Sequence, residues 1–312
     1  MKIVHVAAAV LLRPDGSFLL GRRPPGGYYA GYWEFPGGKV EARETPAMAL
    51  VRELHEELGI EVAVADAQPW IARRFLYEHA DVHLHFFRVR TWRGTARALQ
   101  HDALAWQMAN TVDVAPLLPA NAPIMAALAL PDFYAITQAH QLGVDAQLQR
   151  LLAALSGGLR LLQLREARLA PAQAAALAYA AVELCHQFGA RVLINGDEAL
   201  AHQAGADGVH LSAAQLLSLT ARPAVALVGA SCHDARELEQ AVRLGVDFVV
   251  LGPVQETTSH AGQSAMGWPE FTRLALDSPL PIYALGGLGP QDLPAAWTAG
   301  AHGVAAIRAA WT

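Results

Sequence analysis

Glutamates stand at positions 53, 56 and 57 of this 312-residue chain. If the segment is helical, spacings of i, i+3 and i+4 put all three carboxylates on one face. Like charges that close repel, and only Arg52 and His55 lie near enough in sequence to compensate. A hard divalent cation removes the repulsion, and carboxylate oxygen is the ligand Mg2+ prefers. Gly37 and Gly38 precede the segment, and backbone without a Cβ lets a carbonyl approach the same ion. Mg2+ held by few protein groups completes its coordination with water and substrate phosphates. Three carboxylates alone are more often an acidic, solvated helix face, so the wider pattern has to decide.

The elements that must position these residues are legible around them. Residues 45–58 have helical spacing and stop at Gly59, a natural helix terminator. Residues 82–90 alternate loosely and read as a strand. At the start, an apolar run through Leu12 meets Arg13-Pro14-Asp15-Gly16 and continues as Ser17-Phe18-Leu19-Leu20. That run is short, contains His5 and is followed by a good turn, so a β-hairpin explains it better than an export signal.

The constellation runs Gly38, five residues, Glu44, seven residues, then Arg52-Glu53-Leu54-His55-Glu56-Glu57-Leu58-Gly59-Ile60. It resembles the Nudix box, G-x5-E-x7-R-E-U-x-E-E-x-G-U with U apolar, at every specified position. Trp33-Glu34-Phe35-Pro36-Gly37-Gly38-Lys39, the pair Arg22-Arg23 and Pro119-Ala120-Asn121-Ala122-Pro123 look like the MutT branch of that family. The resemblance implies an α/β/α sandwich, Mg2+ or Mn2+ as cofactor, and release of a nucleoside monophosphate and pyrophosphate. By matched position it implies metal ligation by Gly37, Glu53, Glu56 and Glu57, with Glu53 also the base. Arg52 would orient a carboxylate and Glu44 would stand behind the ligands. Arg23, Phe35 and Asn121 would meet the base, and an oxidised purine such as 8-oxo-dGTP would be the substrate. An Asn amide can read both a purine carbonyl and a ring N–H, although Asn121 is also well placed to cap a helix over 122–128. The sequence departs from the family where Ala105 precedes Trp106, and where Glu78-His79-Ala80 replaces a Pro-Asp-Arg segment.

From residue 133 the texture changes. Apolar runs at 133–137, 161–165, 192–195, 208–211, 226–231, 248–252, 282–286 and 304–307 alternate with alanine-rich helical stretches. Strand–helix alternation means parallel β with right-handed crossovers, and eight units suggest a compact TIM (β/α)8 barrel. An open, doubly wound sheet is the alternative. Gln163-Leu164-Arg165-Glu166, Asn195-Gly196-Asp197, Ala206-Asp207-Gly208-Val209-His210-Leu211, Gly252-Pro253-Val254 and Leu285-Gly286-Gly287-Leu288 fall at strand ends, where barrel enzymes put their sites.

Together these resemble the thiamine phosphate synthase and TenI family. The resemblance implies a phosphate grip from Thr257, Ser259, Gly286 and Gly287. Ala167 stands where the family has Lys, Asp197 falls one place late, and Ser212-Ala213-Ala214-Gln215 replaces a metal-binding Asp. Ser231-Cys232-His233 and Glu256-Thr257 are closer to TenI, which implies that His233 moves a proton on a thiazole phosphate. A thiazole tautomerase, a degenerate phosphate-binding module and a true synthase remain open.

The whole is read as α/β, with a Nudix domain over 1–130 and a barrel over 131–312. Hydrophobic residues are 53% and charged residues 16%, ample for two cores. A net charge of -5 is the wrong sign for gripping a nucleic-acid polymer, so the expected partners are a nucleotide substrate and a thiazole phosphate-like ligand. No apolar stretch reaches the roughly 20 residues of a membrane helix. Two distant cysteines, Cys185 and Cys232, form no disulfide framework and fit a reducing cytoplasm. Two further readings share these features. One is Nudix hydrolysis of a thiamine-pathway pyrophosphate; the other is a nucleotide-responsive module whose barrel senses a phosphate ligand, which lacks turnover.

Overall fold

A computed structural model describes residues 3–78, 80–256 and 264–312. The chain divides into two compact units, one of Met1–Leu130 with Leu276–Pro279, the other of Pro131–Ala275 with Leu280–Thr312.

In the first unit, β1 (Ile3–Leu11), β2 (Phe18–Arg22), β3 (Trp33–Glu34) and β4 (Gly37–Lys39) lead into α1 (Pro46–Leu58). Then come β5 (Gln68–Leu76), β6 (Asp81–Val89), β7 (Ala103–Gln107) and α2 (Ala122–Leu128). The strands form two sheets, of order β4-β1-β6-β5 and β3-β2-β7. The hairpin expected at the start is therefore only a turn. Arg13 and Ser17 close it and Leu12 bridges Phe18, but the strands then part into different sheets. The reason is burial on both sides of β1. Ala8 and Val10 pack with Phe18, Trp33, Phe35 and Ile124, while Ala7, Ala9 and Leu11 pack with Leu50, Leu54 and Leu58 of α1. Helix α1 thus covers one face and α2 the other, the α/β/α sandwich expected.

Helix α1 has its own start and stop signals. The Thr45 hydroxyl accepts from the Met48 N–H, Pro46 opens the first turn, and Gly59 ends the helix at φ 68°. Its apolar face, Ala49, Leu50, Leu54 and Leu58, is buried. That leaves Arg52, Glu53, Glu56 and Glu57 on the remaining faces.

The second unit alternates strands with helices. In order they are β8 (Phe133–Ile136), α3 (Ala139–Leu142), α4 (Val144–Ser156), β9 (Leu161–Leu164), α5 (Pro171–Gln187), β10 (Arg191–Asn195), α6 (Glu198–Ala204), β11 (Gly208–Leu211) and α7 (Ala213–Ser218). They continue as β12 (Leu227–Cys232), α8 (Ala235–Leu244), β13 (Phe248–Leu251), α9 (Gly267–Ala275), β14 (Ile282–Leu285), α10 (Leu293–Thr298) and β15 (Gly303–Ala306). The eight strands close as a parallel barrel, with β15 pairing β8, so the open-sheet alternative falls. Short strands let so brief a chain close the ring, and large side chains fill it. Tyr134, Phe248 and Tyr283 meet at centroid distances of 5.3 to 5.6 Å. Gly229 makes room for them, since a Cβ there would lie 2.6 Å from the Phe248 ring. Among the described residues no helix is long and apolar enough to cross a membrane.

Candidate functional site

Strand β4 pairs antiparallel with β1, Ala8 opposite Gly37 and Ala7 opposite Gly38. Two glycines are needed there. Gly37 has φ 144°, and a Cβ on it would strike the Ala7 carbonyl at 2.1 Å. At Gly38 a Cβ would sit 2.2 Å from the Glu53 carboxyl group, so the missing side chain is the notch that receives that carboxylate. The Gly37 N–H in turn donates to Glu57 Oε2 at 2.9 Å. Glu53 and Glu57, one helical turn apart, thus converge on the two glycines.

Arg52 organises the other carboxylates. Its guanidinium donates to both oxygens of Glu44, at 2.9 and 3.1 Å, to Glu53 Oε1 at 2.9 Å and to the Lys39 carbonyl at 3.1 Å. Glu56 Oε2 lies 3.5 Å from the same group. The hydrogen bonds from Arg52 hold the Glu44 carboxyl below the ordinary range. Glu57 has the opposite fate. Burial pushes it up to about 8, against the Gly37 N–H, and the charges of Glu34 and Glu53 add to the rise. Glu34, raised mainly by burial, is partnered by Arg23 at 2.7 Å.

This array is short of positive charge at its buried end. Clustered carboxylates beside a glycine backbone are the donor set of a hard divalent cation. Glu53, Glu56 and Glu57 are not closed into a single triad, because Arg52 stands between Glu53 and Glu56.

The three residues expected at the base are placed differently from one another. Arg23 faces the array through Glu34 and also donates to the Tyr28 carbonyl at 3.1 Å. Asn121 is 4% exposed and makes no capping bond; its amide donates to the Trp33 carbonyl at 3.4 Å. Phe35 is turned into the core, 4% exposed, with its ring 5.8 Å from those of Phe18 and Phe86. It shapes the wall behind the site rather than offering an open stacking face, because β3 alternates and Glu34 takes the outward position. Glu34 itself had no role in the motif reading. Its signal was a charged residue between two core aromatics, Trp33 and Phe35.

At the barrel, Gly286 (φ 115°) and Gly287 (φ 68°) follow β14. Their loop lies along that after β13: Val254 N–H donates to the Leu285 carbonyl at 2.7 Å and Gln255 N–H to the Gly286 carbonyl at 3.2 Å. Thr257 and Ser259 lie outside the described residues. His233 follows β12 and its Nδ1 is 2.9 Å from Glu237 Oε2, a carboxylate partner four residues on that the motif did not point to. The same Glu237 accepts from the His233 backbone N–H at 2.6 Å.

The positions where the family's acidic groups are lost have local duties. Asp197 caps α6, accepting from Leu200 N–H at 2.8 Å. Ser212 and Gln215 form a capping box on α7, and Gln215 Nε2 donates to the Gly196 carbonyl at 2.8 Å. A cavity of about 420 Å³ opens beside them, lined among others by Glu166, Ala167, Asn195 and Asp197.

Comparison with known proteins gives two matches. The NUDIX domain family model matches residues 7–127, and that of thiamine monophosphate synthase matches 133–310. A CTP pyrophosphohydrolase of Escherichia coli is 43% identical over 131 residues, 41% of this chain and 92% of that protein. An 8-oxo-dGTP diphosphatase of Proteus vulgaris is 40% identical over 92 residues, 30% of this chain and 80% of that protein. A Geobacter sulfurreducens protein named "Putative thiamine-phosphate synthase" is 39% identical over 180 residues, 56% of this chain and 84% of that protein.

Proposed function

The chain belongs to the Nudix family over residues 7–127 and to the thiamine monophosphate synthase family over 133–310, and from that premise we propose that its N-terminal unit hydrolyses a nucleoside triphosphate to the monophosphate and pyrophosphate. The observation that carries this reading is the convergence of Glu53 and Glu57 on Gly37 and Gly38. Glu53, Glu56 and Glu57 with the Gly37 backbone would hold Mg2+ or Mn2+, which neutralises phosphate charge and lowers the pKa of water. Glu53, steadied by Arg52, takes the proton of the attacking water. Glu44 keeps Arg52 in place, and Glu57 is held by the Gly37 N–H.

The base is read near β3, which Arg23 reaches through Glu34 and Asn121 through the Trp33 carbonyl, and an oxidised purine, 8-oxo-dGTP, is the first reading. The Asn121 amide can donate to a purine carbonyl and accept from a ring N–H. CTP is the second reading, favoured by the CTP pyrophosphohydrolase similar to this chain over 92% of its length. The same amide can accept from the cytosine amine. The barrel binds a thiazole phosphate, with Gly286 and Gly287 at the phosphate and the His233–Glu237 pair moving a proton.

Pyrophosphate release by the full chain with Mg2+ tests the reading, across 8-oxo-dGTP, dGTP, CTP, dCTP and thiamine pyrophosphate. Preference for 8-oxo-dGTP over dGTP supports the first reading and preference for CTP the second. Turnover of thiamine pyrophosphate alone overturns both, and no turnover of any overturns the enzyme.

A further inference from the structure

A second cluster in the first unit has no part in the chemistry above. His5 lies on β1, and His83 and His85 on β6. The two strands run parallel with His5 directly opposite His83, and His85, two residues on, shares that face. Residues about eighty apart in sequence so meet on one patch. Ring centroids are 5.3 Å apart for His5 and His83, 5.3 Å for His5 and His85, and 4.4 Å for His83 and His85. One ring nitrogen from each lies within 4.8 Å of the other two. Among the described residues, no other three His, Cys, Asp or Glu side chains come that close, the Nudix carboxylates included.

We propose that His5, His83 and His85 form a binding site for a first-row divalent transition cation of the zinc class. Imidazole nitrogen is the donor such ions favour, whereas the carboxylate array is made for a hard cation. In a tetrahedral site with Zn–N near 2.0–2.1 Å, ligand nitrogens stand about 3.3 Å apart. His5 Nδ1 and His85 Nε2 are 3.0 Å apart, and a ring nitrogen of His83 lies within 4.8 Å of the ligand atom of each. Two imidazoles that close share one proton, and the third ring adds a lone pair with nothing to bind among these three.

The rings are available as ligands. Burial holds His85 down to about 4 and also lowers His83; neighbouring imidazoles add to both and the Asp277 carboxylate opposes, and the neutral ring so favoured is the form that binds a metal. Arg74 stands opposite His83 across β5 and β6, but its guanidinium is engaged by Asp81, Nε to Oδ1 at 2.8 Å. That pairing lessens its repulsion of a cation. Three protein ligands leave a fourth position, and His5 is exposed, so water reaches it. The site also borders β4. The His5 carbonyl accepts from Val40 N–H at 2.9 Å, and Val6 pairs with Lys39. A cation clipping β1 to β6 steadies the strand on which Gly37–Lys39 is laid.

The test is titration of the full chain with Co2+ alone. We expect one equivalent to give the strong visible bands of tetrahedral, nitrogen-bound Co2+, bleached by one equivalent of Zn2+ and untouched by excess Mg2+. The double variant His83→Ala, His85→Ala loses the bands, and His5→Ala weakens binding on the order of tenfold or more. Glu53→Gln keeps them. Bands that persist in the double variant, or vanish in Glu53→Gln alone, overturn the proposal, as does their absence from the unaltered protein. Should the double variant fail to fold, imidazole NMR shifts on adding Zn2+ to the unaltered protein decide. Shifts in His5, His83 and His85 together support the site; shifts in none of them refute it.

Discussion

Replacing Glu53 by Gln separates charge from shape. Glutamine is nearly isosteric, so it still enters the notch at Gly38, where a Cβ would lie 2.2 Å from the native carboxyl. It can still accept from Arg52 NH1, 2.9 Å away in the wild type. It cannot take a proton from water, and it is a poor ligand for a hard cation. Loss of general-base action alone is worth about 10²- to 10⁴-fold. That range is roughly 2.7 to 5.5 kcal/mol of barrier. We therefore expect kcat for pyrophosphate release to fall at least about 100-fold at saturating Mg2+. Stability should hardly change, because Arg52 keeps both oxygens of Glu44. A partly exposed ion pair is worth about 1 kcal/mol or less. The assay is kcat by coupled pyrophosphate detection, with the urea midpoint measured on the same preparation. Retention of more than about a tenth of kcat, a loss under ~1.4 kcal/mol, with an unchanged midpoint would refute the role of Glu53.

Three further outcomes follow from the same geometry. Gly38→Ala should lower kcat about 100-fold by pushing the Glu53 carboxylate aside, as a misplacement of about 1 Å does; a near-normal kcat would mean the notch is not used. Asn121→Ala should raise KM for 8-oxo-dGTP more than for dGTP, by about 1 to 3 kcal/mol; equal effects on both would remove Asn121 from base reading. In the barrel, the full chain should bind thiazole phosphate by calorimetry. It should form no thiamine phosphate from that ligand, hydroxymethylpyrimidine pyrophosphate and Mg2+. Steady product, or no binding, would each overturn half of that reading.

What was legible depended on whether the signal was local. Thr45, Pro46 and Gly59 mark α1 to within a residue, because caps and terminators act over one turn. The barrel strands stand close to the apolar runs, since a strand buried on both faces cannot hide its composition. The opening hairpin misled because a turn constrains only its neighbours. Which sheet each strand joins is settled by what covers β1 on both faces, and that comes from α1 and α2, far along the chain. Charge partners were hidden for the same reason. The Nudix box names Glu53 and Glu57 but not the pairing of Arg23 with Glu34. Phe35 shows the converse, a residue matched by motif whose ring the alternation of β3 commits to the core. The three histidines needed a parallel register that no window of sequence contains.

On the proposed function, the two units would meet an anionic ligand with different chemistry. The Nudix unit presents anions to an anion, and burial of Glu57 makes that unfavourable until positive charge is supplied. A crowded, partly buried acidic array therefore favours a cation, and water activation would follow from its binding. The barrel unit offers glycine backbone at 286 and 287, with helix caps at Asp197 and Ser212. Capping draws the Asp197 carboxylate to Leu200 N–H and gives the Gly196 carbonyl to Gln215. The first contact stabilises a helix start, and both engage oxygens in the loop after β10. Binding a single phosphate asks only for N–H groups and hydroxyls. Expelling pyrophosphate asks for a cation to carry the leaving charge. We therefore propose that the barrel binds one phosphate and does not expel pyrophosphate, which the calorimetry and the product assay decide.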